Sequence, residues 1–159
     1  MIIRPAHAKD AAPLAALWNP WIETTAITFS TSLKTPEGLA TDIAARGDAF
    51  LVAEADGALL GFATFFPFRG GPGYAHTKEH TVILAPEARG RGAGRALMNA
   101  LEEVARNRQV HSLFAGVSAE NPAGVAFHAA IGFTETARLP QVGYKFGRWM
   151  DLVLMQKFL

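Results

Sequence analysis

Apolar residues recur along this chain with two different periods, and the switches between them mark out the elements. Ala96, Leu97, Ala100, Leu101 and Val104 fall three and four apart, with Asn99, Glu102, Glu103 and Arg106 on the polar side, which predicts an amphipathic helix over Gly94 to Arg106. Phe50 to Ala55 and Leu59 to Phe66 are instead short aliphatic and aromatic runs joined by Asp56-Gly57, a dipeptide suited to a hairpin turn. Further strands are expected at Ile2 to Arg4, His80 to Leu84, Val110 to Val117, Phe133 to Arg138 and Met150 to Phe158. A helix is expected from Asp10 to Trp18, stopping before Asn19-Pro20, because a proline removes a backbone donor. Thr35-Pro36-Glu37 has the form of an N-cap with proline at the first helical position, and that helix ends near Gly47. Asn121 caps a last helix over Pro122 to Ile131, stopped by Gly132. The order β α α β β β α β α β β predicts an α/β fold, with helices flanking one central mixed, mostly antiparallel sheet.

Length and composition narrow the classes. At roughly 100 to 200 residues per domain, 159 residues predict a single domain over 1–159. With 50% hydrophobic and 18% charged residues, the chain is too apolar for intrinsic disorder. Charge-free stretches such as Ala11 to Ile22 and Gly57 to Phe68 are broken by proline or glycine, and neither can span a bilayer. Met1 to Asp10 lacks the form of a signal peptide, so no membrane partner and a cytoplasmic location are expected. The absence of cysteine excludes disulfides, thiolate metal sites and a cysteine nucleophile. A net charge of +1 gives no sign of a nucleic-acid binder.

The segment with the most chemical content is Arg89-Gly90-Arg91-Gly92-Ala93-Gly94-Arg95, between a strand and the amphipathic helix. Glycines permit a tight turn with exposed N–H groups, and the helix start adds partial positive charge, which together suit an anion. A dinucleotide fingerprint would need glycine where Arg95 stands, and the Gly-Lys-Ser or Gly-Lys-Thr of a P-loop is missing. The pattern R-x-x-G-x-G at Arg89, Gly92 and Gly94 resembles the pyrophosphate-binding motif of the GNAT superfamily of N-acetyltransferases. Asn121-Pro122-Ala123 through His128 to Gly132-Phe133 is similar to the same family's following segment. Within the superfamily the chain resembles the phosphinothricin and methionine sulfone (L-amino acid) N-acetyltransferase group, through Thr28-Phe29, Glu79-His80-Thr81-Val82, Ala119-Glu120-Asn121-Pro122 and the run Val142 to Leu152.

That resemblance implies a cleft between the fourth and fifth strands, acetyl-CoA as cosubstrate, no metal, a small-molecule amine acceptor and a homodimer. It implies that main-chain groups of Val82, Ile83 and Leu84 pair with the pantetheine arm, that Arg89, Gly90, Arg91, Gly92, Ala93, Gly94 and Arg95 hold the diphosphate, and that Asn121 bonds the pantetheine amide. Glu79 is the candidate base. An α-amine with a pKa of about 8 is roughly one-tenth neutral at pH 7, so a weak base acting through water suffices. His80 follows on the opposite face of a regular strand, so only one of the two should line the cleft. His128 stands where many members place a tyrosine acid for the departing thiolate, and a hydrogen-bonded helix histidine is an equal reading. Phe29, Arg148 and Trp149 would wall the acceptor pocket, with Tyr74. The chain departs from the group at Ala75, where members often have an arginine for the acceptor's carboxylate, so Arg69 or His76 would have to replace it.

His76-Thr77-Lys78-Glu79-His80 also matches the H-x-x-E-H pattern of a zinc peptidase, whose chemistry needs a helix. A segment running into Thr81-Val82-Ile83-Leu84 should be extended, which places the histidines about 13 Å apart, beyond one zinc ion. Other acceptors stay open: a polyamine, an aminoglycoside or a protein N-terminus. A CoA-binding module without catalysis is the alternative of another class, against which Glu79, Asn121 and His128 argue.

Overall fold

The computed structural model describes Met1–Leu159 in full. Its elements are β1 (Ile2–Pro5), α1 (Ala11–Thr24), α2 (Pro36–Arg46), β2 (Phe50–Ala55), β3 (Ala58–Pro67), β4 (Thr77–Leu84), α3 (Ala93–Asn107), β5 (Ser112–Ser118), α4 (Pro122–Ala130), β6 (Thr134–Lys145) and β7 (Arg148–Phe158). All seven strands form one sheet in the order β1-β2-β3-β4-β5-β7-β6. Every neighbouring pair is antiparallel except β4 and β5. The order of elements is the one the hydrophobic pattern predicts.

Local chemistry explains most of the boundaries. Thr35 Oγ1 accepts the Gly38 N–H and Asn121 Oδ1 accepts the Gly124 N–H, so α2 and α4 start where their caps stand. Asp56 and Gly57 both have positive φ, as a two-residue turn twisted to suit a hairpin requires. Two expectations need correcting. Helix α1 does not stop before Pro20 but continues to Thr24. The lost hydrogen bond is outweighed by what the last turn holds, with Ile22 buried and Trp21 Nε1 donating to the Leu84 carbonyl at 3.2 Å. The last two strands also run longer than expected, as a hairpin closed by Phe146-Gly147, where a phenylalanine takes the left-handed conformation with φ 54°.

The sheet has a core on each face. On one, α1 and α2 bring Leu14, Leu39 and Ile43 against Phe50, Val52 and Phe62. On the other, α3 brings Leu97, Met98 and Leu101 against Ala63, Leu113, Ala115 and Met155. No helix is long and apolar enough to cross a membrane.

Candidate active site

The only parallel pair of the sheet is also where the sheet opens. β4 and β5 are paired from Thr77 with Ser112 to His80 with Ala115, and beyond that point the strands part. The other edge of β4 stays bonded to β3 along its length. The Phe68 N–H donates to the Thr77 carbonyl and the Ala85 N–H to the Leu60 carbonyl, which fixes the alternation: Glu79, Thr81 and Ile83 turn their main chain to β3, and His80, Val82 and Leu84 turn theirs to β5. Past His80, the main-chain groups of Val82 and Leu84 therefore face a gap instead of a strand, and only the Leu84 carbonyl is taken, by Trp21. Ile83 differs from the expectation set for it. Its side chain borders the gap, but its N–H and C=O belong to the ladder with Phe62.

The gap is a cleft of about 480 Å³ that reaches both faces of the sheet. From the α3 and α4 side it is lined by Val82, Leu84, Arg89, Asn121, Phe127 and His128, and from the α1 and α2 side by Trp18, Ile27, Thr28, Phe29, Glu79 and Thr81. Of the segment Arg89 to Arg95, Arg89 and Gly94 touch the cleft, with Gly90, Arg91 and Gly92 in the turn between them and Ala93 opening α3. Gly92 is the N-cap of α3, in the left-handed conformation at φ 76° and with no side chain to cap the helix, so the first-turn amides of Ala93, Gly94 and Arg95 have no capping acceptor. None of Arg89, Arg91 and Arg95 has an ion-pair partner. Free amides, three unpaired cations and three unpaired main-chain groups of β4 suit a long ligand with an anionic middle and an amide-bearing arm.

Glu79 is half-buried on the α1 and α2 face beside Gly116, and its carboxyl accepts no hydrogen bond from the chain. Burial raises its pKa above the usual carboxylate value. His80, on the opposite face, borders the cleft as well, which corrects the expectation that only one of the two would do so: the parting of the strands exposes both faces of β4. Its Nε2 lies 2.9 Å from Nε2 of His128, and His128 Nδ1 donates to the Gly124 carbonyl at 2.8 Å. Burial holds both imidazoles below their ordinary pKa; for His80 the neighbouring His128 adds to the effect, and the Phe114 main chain opposes it, as the Gly124 carbonyl does for His128.

Of the expected acceptor residues, Phe29 alone lines the cleft. Arg69 lies over the Tyr74 ring, 5.4 Å from its centroid, on the loop between β3 and β4 that also carries Ala75. Arg148 is paired with Glu120, 2.7 Å from Nη2 to Oε1, and Trp149 packs on Tyr144 with 61% of its surface exposed. Arg69, Tyr74, Ala75, Arg148 and Trp149 thus stand outside the cleft walls of this chain. The run Val142 to Leu152 acts through other members. Lys145, buried at 3% exposure, donates to the Thr25 and Thr28 carbonyls at 2.7 and 2.8 Å, and Gly143 lies so close to Phe29 that a Cβ there would stand 2.5 Å from the ring. Sequence reasoning missed this clamp. The signal was a lysine and a glycine in one strand, and nothing local ties them to residues more than 110 positions earlier. Burial without an acidic partner lowers the Lys145 pKa.

A mixed sheet split between its one parallel pair, with a helix N-terminus aimed at the split and a free carboxylate beside it, is the architecture of an acyl-CoA-dependent acyltransferase. Residues 16–133 match the Acetyltransferase (GNAT) family, and the chain belongs to it. It is an N-acetyltransferase whose acyl donor is acetyl-CoA. The L-amino acid N-acyltransferase MnaT of Escherichia coli is 37% identical, over 98% of this chain and 92% of that protein. The L-methionine sulfoximine/L-methionine sulfone acetyltransferase of Salmonella typhimurium is 38% identical, over 98% of this chain and 93% of that protein. Among solved structures, the ribosomal-protein-alanine N-acetyltransferase of Brucella melitensis superposes with a TM-score of 0.94 at 42% identity, covering both chains completely. The Salmonella typhimurium yncA acetyltransferase, solved with its cofactor acetyl-CoA, also gives 0.94, at 36% identity, over all of this chain and 94% of that one.

Proposed function

We propose that residues 1–159 form one N-acetyltransferase domain that acetylates the amine of a small L-amino acid or analogue, of the methionine sulfone, methionine sulfoximine or phosphinothricin type, by direct attack in a ternary complex. The observation that carries the reading is the passage through the sheet: backbone groups and Asn121 lie on one side, Glu79 and Phe29 on the other, with the parted strands between. Val82 and Leu84 hold the pantetheine arm, Arg89 to Arg95 hold the diphosphate, and a main-chain N–H at the gap donates to the thioester oxygen. Glu79, whose raised pKa suits it to accept a proton near neutrality, takes the amine's proton directly or through water. The acceptor end, walled by Ile27, Thr28 and Phe29, suits a compact side chain. Homodimerisation is supported by the exposed side chains of Val142, Tyr144, Phe146 and Trp149 on the last hairpin, and a cytoplasmic site of action by the intracellular supply of acetyl-CoA.

The test is CoA release with free amino acids, methionine sulfone, methionine sulfoximine and phosphinothricin, set beside a peptide with N-terminal alanine. Turnover with one or more of the small amines and none with the peptide is expected. Turnover with the peptide alone would overturn the acceptor assignment and leave the transferase itself standing.

A further inference from the structure

His80 has no part in the reaction so far, although it is buried and its ring meets that of His128. Two ring nitrogens 2.9 Å apart need one hydrogen between them. The Gly124 carbonyl can only accept, so the hydrogen of neutral His128 sits on Nδ1 and its Nε2 is a bare lone pair. The bridging hydrogen therefore belongs to His80 Nε2, and His80 Nδ1 carries none. That nitrogen is indeed buried with no hydrogen-bond partner. A hydrogen on His80 Nδ1 instead would set two lone pairs against each other unless the pair took up an extra proton. The surroundings oppose that charge. Phe133 packs against both rings and Phe127 against His128, with centroids 5.1 to 5.3 Å away. Around them, β4 brings Glu79 on its opposite face, β7 brings Lys157, 5.9 Å from the Phe133 centroid and paired with Glu102 of α3, and the loop before α3 brings Arg89. The facing residues of β5 and α4, Ala115 and Gly124, bring no charge.

We propose that His80 is a positioning residue that donates its Nε2–H to His128 and so holds His128 as an acceptor, leaving the resting pair with no proton to give to the departing thiolate. The proposal rests on the acetyl-transfer reading of the cleft. Giving up the bridging hydrogen from the neutral pair would leave an imidazolate, far more basic than a thiolate whose thiol has a pKa of about 8.5. The pair becomes an acid only after one proton adds at His80 Nδ1. The bridging hydrogen then passes from His80 Nε2 to His128 Nε2, leaving His80 neutral and His128 cationic. At neutral pH the thiolate leaves without help from His128.

Long-range ¹H–¹⁵N correlation spectra of the histidine-labelled protein test this directly, without turnover. At pH 7 the His128 Nε2 is expected to show a pyridine-like shift, the His80 Nε2 a pyrrole-like shift, and the two nuclei a scalar coupling across the bridge. His80→Gln, whose amide can replace the ring donor, should keep that tautomer of His128. His80→Leu should leave the His128 hydrogen on Nδ1 with the Gly124 carbonyl, raise the His128 midpoint toward the ordinary value near 6.5, and change kcat at neutral pH and the KM for acetyl-CoA less than about twofold. A hydrogen on His128 Nε2 in the unmodified protein, or a normal His128 titration there, would overturn the proposal. So would a His80→Leu variant with an unchanged His128 midpoint, or one whose kcat at neutral pH falls tenfold. Should His80→Leu fail to fold, the spectra of the unmodified protein and of His80→Gln decide alone. Failure of the acetyl-transfer reading would appear separately, as no CoA release with any amine while the coupling across the bridge persists.

Discussion

The two ends of the cleft are built by different means. The end that faces α3 and α4 is made largely of backbone: unpaired groups of Val82 and Leu84, first-turn amides of α3, and the Asn121 cap, all supplied by segments that follow one another along the chain. The end that faces α1 and α2 is made of side chains: Trp18 of α1, Glu79 and Thr81 of β4, and Ile27, Thr28 and Phe29 of the Thr25 to Lys34 stretch, which has no regular structure and is held from a distance by Gly143 and Lys145 of β6. In the proposed reading the first end holds acetyl-CoA, a ligand common to the whole family, and backbone geometry tolerates sequence change. On the same proposed reading the second end takes the acceptor, and altering its loop or clamp should retune it without touching the donor end.

The largest expected effect tests the carboxylate at the boundary of the two ends. Glu79→Gln should lower kcat about 100-fold at neutral pH, the ordinary contribution of a general base, and recover as the amine loses its own proton at higher pH. Because the Glu79 pKa is raised, the unmodified enzyme should lose activity on acidification earlier than an ordinary carboxylate would dictate. A uniform loss across the pH profile would assign Glu79 a positional role.

Substitutions confined to one end should separate the two KM values. Gly143→Ala places a methyl group into the Phe29 ring, and overpacking on that scale costs about 1 to 3 kcal/mol, so the acceptor KM should rise roughly tenfold with the acetyl-CoA KM unchanged. Gly92→Val should do the reverse. A Cβ at that position meets nothing within 4 Å, so the effect comes from forcing a β-branched residue to φ 76°, costing roughly 1 to 2 kcal/mol and weakening acetyl-CoA about tenfold. Equal changes in both constants from either variant would mean that the two ends are not independent.

A smaller effect concerns the histidine pair between them. Both rings have pKa values below that of an unfolded histidine, so between pH 6.5 and the folded values the unfolded chain binds the protons that the folded one refuses. Stability supplied by each ring is thus complete above pH 6.5 and falls on acidification, by about 1.4 kcal/mol per pH unit per ring. Thermal unfolding at pH 7.5 and 5.5 should show the drop, and His128→Phe should flatten it. The smallest change is expected for Asn121→Ala, about 1 kcal/mol of stability from the lost cap and a fall in Tm of a few degrees.

The sequence by itself determined the element order, the caps at Thr35 and Asn121, the Asp56-Gly57 turn and the glycine-rich start of α3, because each depends on backbone preferences within a few residues. It also pointed to Glu79, through a strand whose alternate residues had to face a cleft. Only the tertiary structure decided where α1 ends, since burial of Ile22 and the Trp21 bond to Leu84 override Pro20. It alone joined His80 to His128 and Lys145 to Thr25, pairs separated by 48 and 120 positions. It alone turned Arg148 away to Glu120. The direction of a long side chain follows from what the fold brings beside it, and no local pattern of hydrophobic and polar residues encodes that neighbour.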